Sequence, residues 1–416
     1  MSPDSVCPVI PENFTVASPA FINDPFKDYD WMVEQPVWRD PATNFWVVTR
    51  YEDVRAIALD PATWSNRASQ IFNRTSTVAE QVKEMYETRG WLPMDTVVSN
   101  DPPEHKFYRA LIDKALTPAR VKTIIPQIEA KVDELTDAML QAGRLDFIGK
   151  FAVPLTMTML ASQVGGAGPE DVDFIRHKTD LQMEAIDPLL SPERELIITE
   201  EVIEFQHYLA RAIERLRAAP TDTILSTLVH ADVDGRKLTV QEIIAVATLF
   251  FGAGHDTTTS ALGSSMRYLA EYPEALQLLK AQPAQINNFV EEMLRLEAPI
   301  QRLFRRATKD TEIGGVAIRE NEIALIQWGG ANRDPARFGC PHQMDVARTD
   351  SNRHLTFGAG IHLCVGNQLA RAELRAAIAA ITARCTTIAL ANGAESYRYH
   401  PLFIARSLAR LDVVVT

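Results

Sequence analysis

The sequence predicts a mainly α-helical protein with small β-sheets, organised as one domain over residues 1–416. Three observations lead there. Helical periodicity of apolar residues dominates from about residue 104 to 215. A capping box, Thr239-x-x-Glu242, opens a segment that stays helix-compatible to Tyr272, just before Pro273. Strand-like alternation is confined to short runs, such as "TEIGGVAIRENEIALIQ" at 311–327.

In chain order, the first fifty residues mix prolines and aromatics around a strand-like "NFWVVTR" (Asn44–Arg50), and the amphipathic "YEDVRAIALD" follows at once. Residues 67–98 read as irregular but carry Phe72, Met85, Tyr86, Trp91, Leu92 and Met94. A long loop that apolar covers something. The periodic stretch that follows is expected to break at Pro118, Pro154 and Gly165–Asp171. Asp234-Gly235 marks a turn, and the helix opened by Thr239 spans roughly 50 Å at 1.5 Å per residue. Further helices read at 285–298 and 366–384, with hairpin turns at Gly314-Gly315 and Glu320-Asn321. No internal repeat or low-complexity linker marks a domain boundary.

Composition excludes several classes of function. Apolar residues make up 46% and charged residues 23%, which is ordinary globular composition with ample core. A net charge of −12 disfavours nucleic acid as a partner. No apolar stretch reaches the length of a membrane span, and "MSPDSVCPVIPENF" has neither the basic nor the apolar region of a signal peptide or anchor. The four cysteines, Cys7, Cys340, Cys364 and Cys385, are widely spaced and form no CxxC. A cytoplasmic monomer is expected.

Two stretches carry chemistry. "FFGAGHDTTTSAL" (Phe250–Leu262) puts two glycines, a His, an Asp and three threonines into a helix that is otherwise apolar nearly all round. Such residues weaken a core helix and call for a reason. "FGAGIHLCVG" (Phe357–Gly366) places Cys364 immediately before an apolar-periodic helix. The positive end of that helix lowers a thiol's pKa, and the resulting thiolate can attack or hold a metal. Zinc wants three or four ligands, and His362 with Cys364 offers two locally. A catalytic Cys–His pair would need i,i+2 side chains to converge on one substrate.

The second stretch resembles the cysteine-ligand loop of the cytochrome P450 family, Phe-Gly-x-Gly-x-His-x-Cys-x-Gly, at Phe357, Gly358, Gly360, His362, Cys364 and Gly366. Three more segments resemble the family's in order and separation: "NDPPEHKFYRALIDKAL" (100–116), the central "FFGAGHDTTTS", and "EEMLRLEAP" with Glu292-x-x-Arg295. The resemblance implies the family's triangular prism of helices, with haem b between the central helix and the cysteine-loop helix. It implies that Cys364 is the axial thiolate, which favours O–O cleavage. His105, Arg109, Arg305 (or its neighbour Arg306) and His362 are implied to meet the haem propionates. Glu292, Arg295 and Arg348 are implied to form a structural lock behind the loop.

In the central helix, small residues Gly252, Ala253 and Gly254 are expected to let the haem approach. The Thr257 hydroxyl can compete for the Ala253 carbonyl and bend or open the helix. By resemblance, Thr257 steadies the activated oxygen and a water while Asp256 gates protons, facing a basic group elsewhere. His255, Thr258 and Thr259 are expected to be packing or helix-face residues.

By family position, the substrate wall would draw on Leu249, Ala253, Ile300 and Leu303, on Val97 and Val98, with Trp91 or Tyr86 as lids and Leu402 or Phe403 from the C-terminus. The wall is apolar, which favours a compact aromatic or terpenoid substrate. Electrons would come from a separate iron–sulfur ferredoxin or flavin protein docking near Lys106, Arg109, Arg353, Arg371 and Arg375. The implied activity is monooxygenation with O2. The rivals are a peroxide-driven peroxygenase, disfavoured by the Asp256–Thr257 pair, a haem or gas sensor, and a cysteine hydrolase.

Overall fold

Thr239 caps the longest helix, which runs unbroken from Val240 to Glu271. Its hydroxyl accepts from the Glu242 N–H (3.2 Å), and the Glu242 carboxylate accepts from the Thr239 N–H (2.8 Å), closing the expected capping box. The computed structural model describes residues 10, 11, 13–67, 76–233 and 235–416. Cys7, Phe72 and Asp234 therefore lie outside the described residues.

Around the central helix pack Val153–Val164, Val172–Glu184, Pro192–Ala218, Ile286–Leu296 and Asn367–Arg384. Earlier in the chain come Glu104–Ala115 and Pro118–Ala142. Thr117 and Ser191 cap their helices, and Pro118 and Pro192 sit in the first turn, where no backbone N–H is needed. The expected breaks at Pro118 and Gly165 are present. Pro154 is not a break: a π-turn, Ile148–Ala152, runs straight into Val153–Val164, and Pro154 occupies the first turn. A short strand, Arg144–Asp146, interrupts the periodic stretch instead, pairing with Leu408–Val415. Residues 67–98 are not all irregular either, since Ala79–Arg89 is helical.

The larger sheet has the order Val37–Arg39, Trp46–Val48, Ile323–Gln327, Arg302–Ala307, Trp64–Ser65. It is buried on both faces. Ala324 and Ile326 join one apolar cluster with the helix Tyr51–Leu59, while Leu325 joins another with the N-terminal segment. The hairpin Thr311–Ile313/Val316–Ile318 turns on Gly314 and Gly315, with φ of +57° and +81°. A two-residue turn with positive φ at both positions suits glycine. A second sheet, Ile388–Leu390, Leu408–Val415 and Tyr397–Tyr399, closes the C-terminus beside the central helix. Among the described residues, no helix is long and apolar enough to cross a membrane.

Candidate active site

The segment 357–366 folds into a tight loop because the Cys364 N–H donates to the Phe357 carbonyl (2.9 Å). Gly360 has φ +68°, and a Cβ there would lie 2.6 Å from the Ala58 carbonyl oxygen. The loop can therefore press on Tyr51–Leu59 only with glycine at that position. Cys364 lines a cavity of about 310 Å³, a size typical of small-molecule sites. Burial pushes its thiol up, opposed by the backbone N–H groups of Gly366 and Asn367 and by the charges of Arg109 and Arg371. The lowering expected from the helix N-terminus is thus outweighed in the protein alone; a bound cation would reverse the balance.

The opposite wall is the central helix, with Leu249, Phe250, Ala253, Gly254, Thr257 and Ala261 facing in. The Thr257 hydroxyl donates to the Ala253 carbonyl (2.8 Å), as expected, but the helix does not open. The three small residues do not act together. A Cβ on Gly252 would meet Gln182 Oε1 at 2.8 Å, so this glycine admits the neighbouring helix Val172–Glu184 rather than the cavity contents. Gly254 borders the cavity, but a Cβ added there would lie 2.7 Å from Leu160 Cδ2.

Asp256 is buried and turns away from the cavity. Its Oδ1 accepts from the Ser407 hydroxyl (2.7 Å) and its Oδ2 has no hydrogen-bond partner among the described residues. Burial raises its pKa; Ser407 and the charges of His400 and Arg176 oppose this. These are the groups that the sequence left unidentified. His255 packs among Thr156 (3.1 Å) and Thr259 (3.4 Å), and burial lowers its pKa to about 3, so it is a neutral core residue. Thr258, expected to be a packing residue, borders the cavity.

At one end of the cavity the cations converge. Arg305 is 5% exposed and its side chain makes one hydrogen bond among the described residues, to the Phe304 carbonyl (2.8 Å); burial lowers its pKa to about 10, which leaves it charged at neutral pH. Strand alternation sends Arg306 the other way, toward Asn321, so that of the two arginines Arg305 lines the cavity. Arg109 reaches the carbonyls of Leu363 (2.7 Å) and Ile361 (3.2 Å), and so bridges its helix to the cysteine loop. His362 lines the cavity, with His105 behind it at a ring distance of 4.6 Å. His362 Nδ1 and His105 Nε2 are buried without partners among the described residues. Burial, then Arg305 and His105, holds the His362 imidazole down at about 3, so it is neutral. Two arginines and two imidazoles with unused nitrogens fit a group that brings carboxylates, and the thiol facing the cavity fits one that brings a metal.

Behind the loop, Glu292 and Arg295 are both 0% exposed and joined at 2.7 and 3.0 Å, and Arg348 Nε reaches Glu292 at 3.1 Å. All three residues expected to meet do so.

Of the expected substrate wall, Val97, Val98, Leu249, Ala253, Ile300 and Leu303 line the cavity. Trp91 and Phe403 do not, and neither do Tyr86 and Leu402. Gln206 clamps the Trp91 backbone at both N–H (2.9 Å) and carbonyl (2.7 Å). Phe403 stacks on Phe304 at 6.0 Å, in the cluster beneath the N-terminal segment. The sequence reading missed Leu160 and Gln163 on Val153–Val164, Ile224, and Glu373 on Asn367–Arg384. On the cysteine side, Lys106 and Arg353 are exposed. Arg371 instead grips Glu291 through two bonds (2.8 and 2.9 Å), and Arg375 joins them at 3.1 Å.

The chain is similar to known proteins over nearly its whole length. The Cytochrome P450 family profile matches residues 176–282 and 284–398. Cytochrome P450 107B1 of Saccharopolyspora erythraea is 32% identical over 401 residues, 95% of this chain and 96% of that protein. Cytochrome P450 CREJ, solved in complex with (4-ethylphenyl) dihydrogen phosphate, superposes with a TM-score of 0.89 at 30% identity, covering 95% of this chain and 98% of that one. P450BioI, solved with a hexadec-9Z-enoic acid-ligated acyl carrier protein, gives 0.85 at 30% identity, with 95% and 100% covered. The chain belongs to the cytochrome P450 family and is a haem-b-binding monooxygenase.

Proposed function

We propose that the protein is a single-domain cytoplasmic monooxygenase that hydroxylates a compact hydrophobic substrate, aromatic or terpenoid, with electrons from a separate ferredoxin or flavin protein. The observation that carries the reading is that Cys364 shares one cavity with Ala253 and Thr257 of the central helix. When bound, the haem supplies O2 activation, so that RH, O2, two electrons and two protons give ROH and water.

In this reading Cys364 would hold the haem iron as a thiolate, with Phe357, Gly358 and Gly366 shaping the loop around it and Ala253 bordering the cavity from the central helix. Arg109, Arg305 and His362, backed by His105, hold the propionates. Buried carboxylates need such partners. Thr257 offers a hydroxyl on the cavity side, and Asp256 passes protons from the Ser407–His400 side. Because Asp256 points away from the cavity, its share in delivery requires rotation or intervening water. Glu292, Arg295 and Arg348 fix the chain that presents the loop.

With the arginines of the cavity assigned to the propionates, Val97, Val98, Leu249, Ile300 and Leu303 give an apolar stretch of the remaining wall. That supports a substrate without charge. The phosphate-bearing and carrier-linked ligands of the two solved relatives ask for polar recognition that this part of the wall lacks. Partner docking falls to the exposed Lys106 and Arg353, with Arg109 and Arg375 contributing less, because Arg371 is turned inward.

The test is spectroscopic. Reduced, CO-bound protein should show the absorption band of thiolate-ligated haem, and Cys364→Ala should abolish it. A wild type that binds haem without that band would overturn the ligand assignment. Ligand-induced spin-state shifts, screened over terpenes, aromatics and carrier-linked acyl chains, test the substrate class.

A further inference from the structure

Glu291 stands next to the lock residue Glu292 on Ile286–Leu296, but different partners hold it. Its carboxylate accepts from Arg371 Nε (2.8 Å) and Nη2 (2.9 Å), from Arg375 Nη2 (3.1 Å) and from His354 Nε2 (3.2 Å). His354 Nδ1 accepts from the Thr356 N–H (3.2 Å), which leaves the ring proton on Nε2. Burial lowers the pKa of that ring, so it is neutral at pH 7. Two arginines against one carboxylate leave one net positive charge. Three contacts bring that charge to the cysteine loop. The Arg371 guanidinium lies 4.4 Å over the Phe357 ring, and the Phe357 carbonyl accepts the Cys364 N–H (2.9 Å). Arg371 Nη1 also donates to Asn367 Oδ1 (3.0 Å), while Asn367 Nδ2 donates to the Cys364 carbonyl (2.5 Å). Both the Arg371 charge and the Asn367 N–H favour the Cys364 thiolate over the thiol. The Arg371 side chain is 15% exposed, so solvent ions screen it little.

The sequence casts Arg371 as a docking residue for the electron donor, and its grip on Glu291 ill suits that task. We propose that Arg371 is instead a positioning residue for the first electron: held over Phe357 by Glu291, it fixes the Asn367 clip on Cys364 and sets the reduction potential of the haem that Cys364 would hold. Reduction adds one electron from the donor protein to the iron and its thiolate, and no bond in the protein forms or breaks. A fixed cation beside the loop favours the reduced form, and the Glu291 carboxylate tempers that cation. Removing one or the other therefore moves the potential in opposite directions. A docking role would leave the potential alone, and a purely structural role would move it alike in both variants. The proposal rests on the reading of Cys364 as the thiolate ligand.

The experiment is a reductive titration of the purified holoenzymes, with mediator dyes and without donor protein, for wild type, Arg371→Gln, Arg371→Lys and Glu291→Gln. A charge within about 4–6 Å shifts a titration by 1–3 units, and a cation already paired with Glu291 falls at the low end, about tenfold. The ratio of reduced to oxidised haem at a fixed solution potential should thus fall about tenfold in Arg371→Gln, a shift of about 59 mV for one electron. It should rise in Glu291→Gln and stay near wild type in Arg371→Lys, which keeps the charge. Donor affinity and its salt dependence should be unchanged in Arg371→Gln. Shifts of one sign in both glutamine variants would overturn the proposal, as would an unmoved potential with weakened donor binding in Arg371→Gln. If one glutamine variant holds no haem, the sign of the other decides, with Arg371→Lys as its control. Failure of the ligand reading is separable, since wild type itself would then lack the thiolate–haem band.

Discussion

Glu292→Gln removes one charge from the most deeply buried ionic cluster while keeping the shape of the side chain. Glu292 Oε1 accepts from Arg295 Nε (2.7 Å) and lies 3.1 Å from Arg348 Nε, while Oε2 accepts from Arg295 Nη2 (3.0 Å) and the Asp345 N–H (3.1 Å). Arg295 also donates to the carbonyls of Asn332 (3.0 Å), Pro341 (2.6 Å) and Gln343 (3.1 Å). One carboxylate therefore ties Ile286–Leu296 to the chain that leads into the cysteine loop. The amide of glutamine offers one acceptor and turns an N–H donor toward the guanidinium N–H donors. Both arginines then remain buried without their counter-charge. Removing one partner of a buried pair costs about 3–5 kcal/mol, against a total stability of about 5–15 kcal/mol. Glu214→Gln is the control, because its partner Arg217 is 45% exposed and Glu214 itself 65%. It should cost less than about 1 kcal/mol. Urea unfolding followed by tryptophan fluorescence and by the thiolate–haem band measures both. If Glu292→Gln fell within about 1 kcal/mol of wild type, the argument from buried charge would be wrong.

Thr257→Ala removes the hydroxyl that borders the cavity and bonds the Ala253 carbonyl. Electron consumption should continue while peroxide replaces product, and full coupling would contradict its role. Glu291 has a lowered pKa of about 2: burial opposes the shift, but hydrogen bonds from His354 and Arg371 prevail. A carboxylate depressed in the fold stabilises above its ordinary pKa and loses that contribution as pH falls through the folded value. The advantage of wild type over Glu291→Gln in melting temperature should therefore be full above about 4.5 and shrink toward about 2; a constant difference would refute the assignment. Lys106→Glu reverses an exposed charge on the cysteine side. It should slow reduction by the donor protein more at low salt than at high salt and leave substrate binding unchanged.

The cysteine loop was legible because its constraints are local: a turn needing glycines, a thiol and a helix start lie within ten residues. The buried Glu292–Arg295 pair was legible only through the resemblance. An i,i+3 ion pair carries no sign of burial, and Asn332, Pro341 and Gln343 are remote in sequence. Glu373 and Gln163 read as ordinary helix residues for the same reason, since what exposes them to the cavity is the packing of three helices. Phe403 was misplaced because the Ile300–Ala405 bridge fixes its register and sends the ring onto Phe304.

In the central helix His255 and Thr259 pack in the core and Asp256 faces away from the cavity, as expected, while Gly252 lies off the cavity face and Thr258 borders it. Its cavity stripe is Phe250, Ala253, Gly254, Thr257 and Ala261, an i, i+3, i+4, i+7 pattern on one face. Gly252, His255, Asp256 and Thr259 fall off that stripe: Gly252 abuts Gln182, His255 and Thr259 both meet Thr156, and Asp256 meets Ser407. Asp256 turns to Ser407 and away from the cavity that Thr257 borders. If protons pass between them, water or a rotation of Asp256 must complete the path, and releasing Asp256 means breaking its bond to Ser407. The residue that leads into the C-terminal strand, Ser407, thereby enters the control of a step whose other residues lie in the middle of the chain.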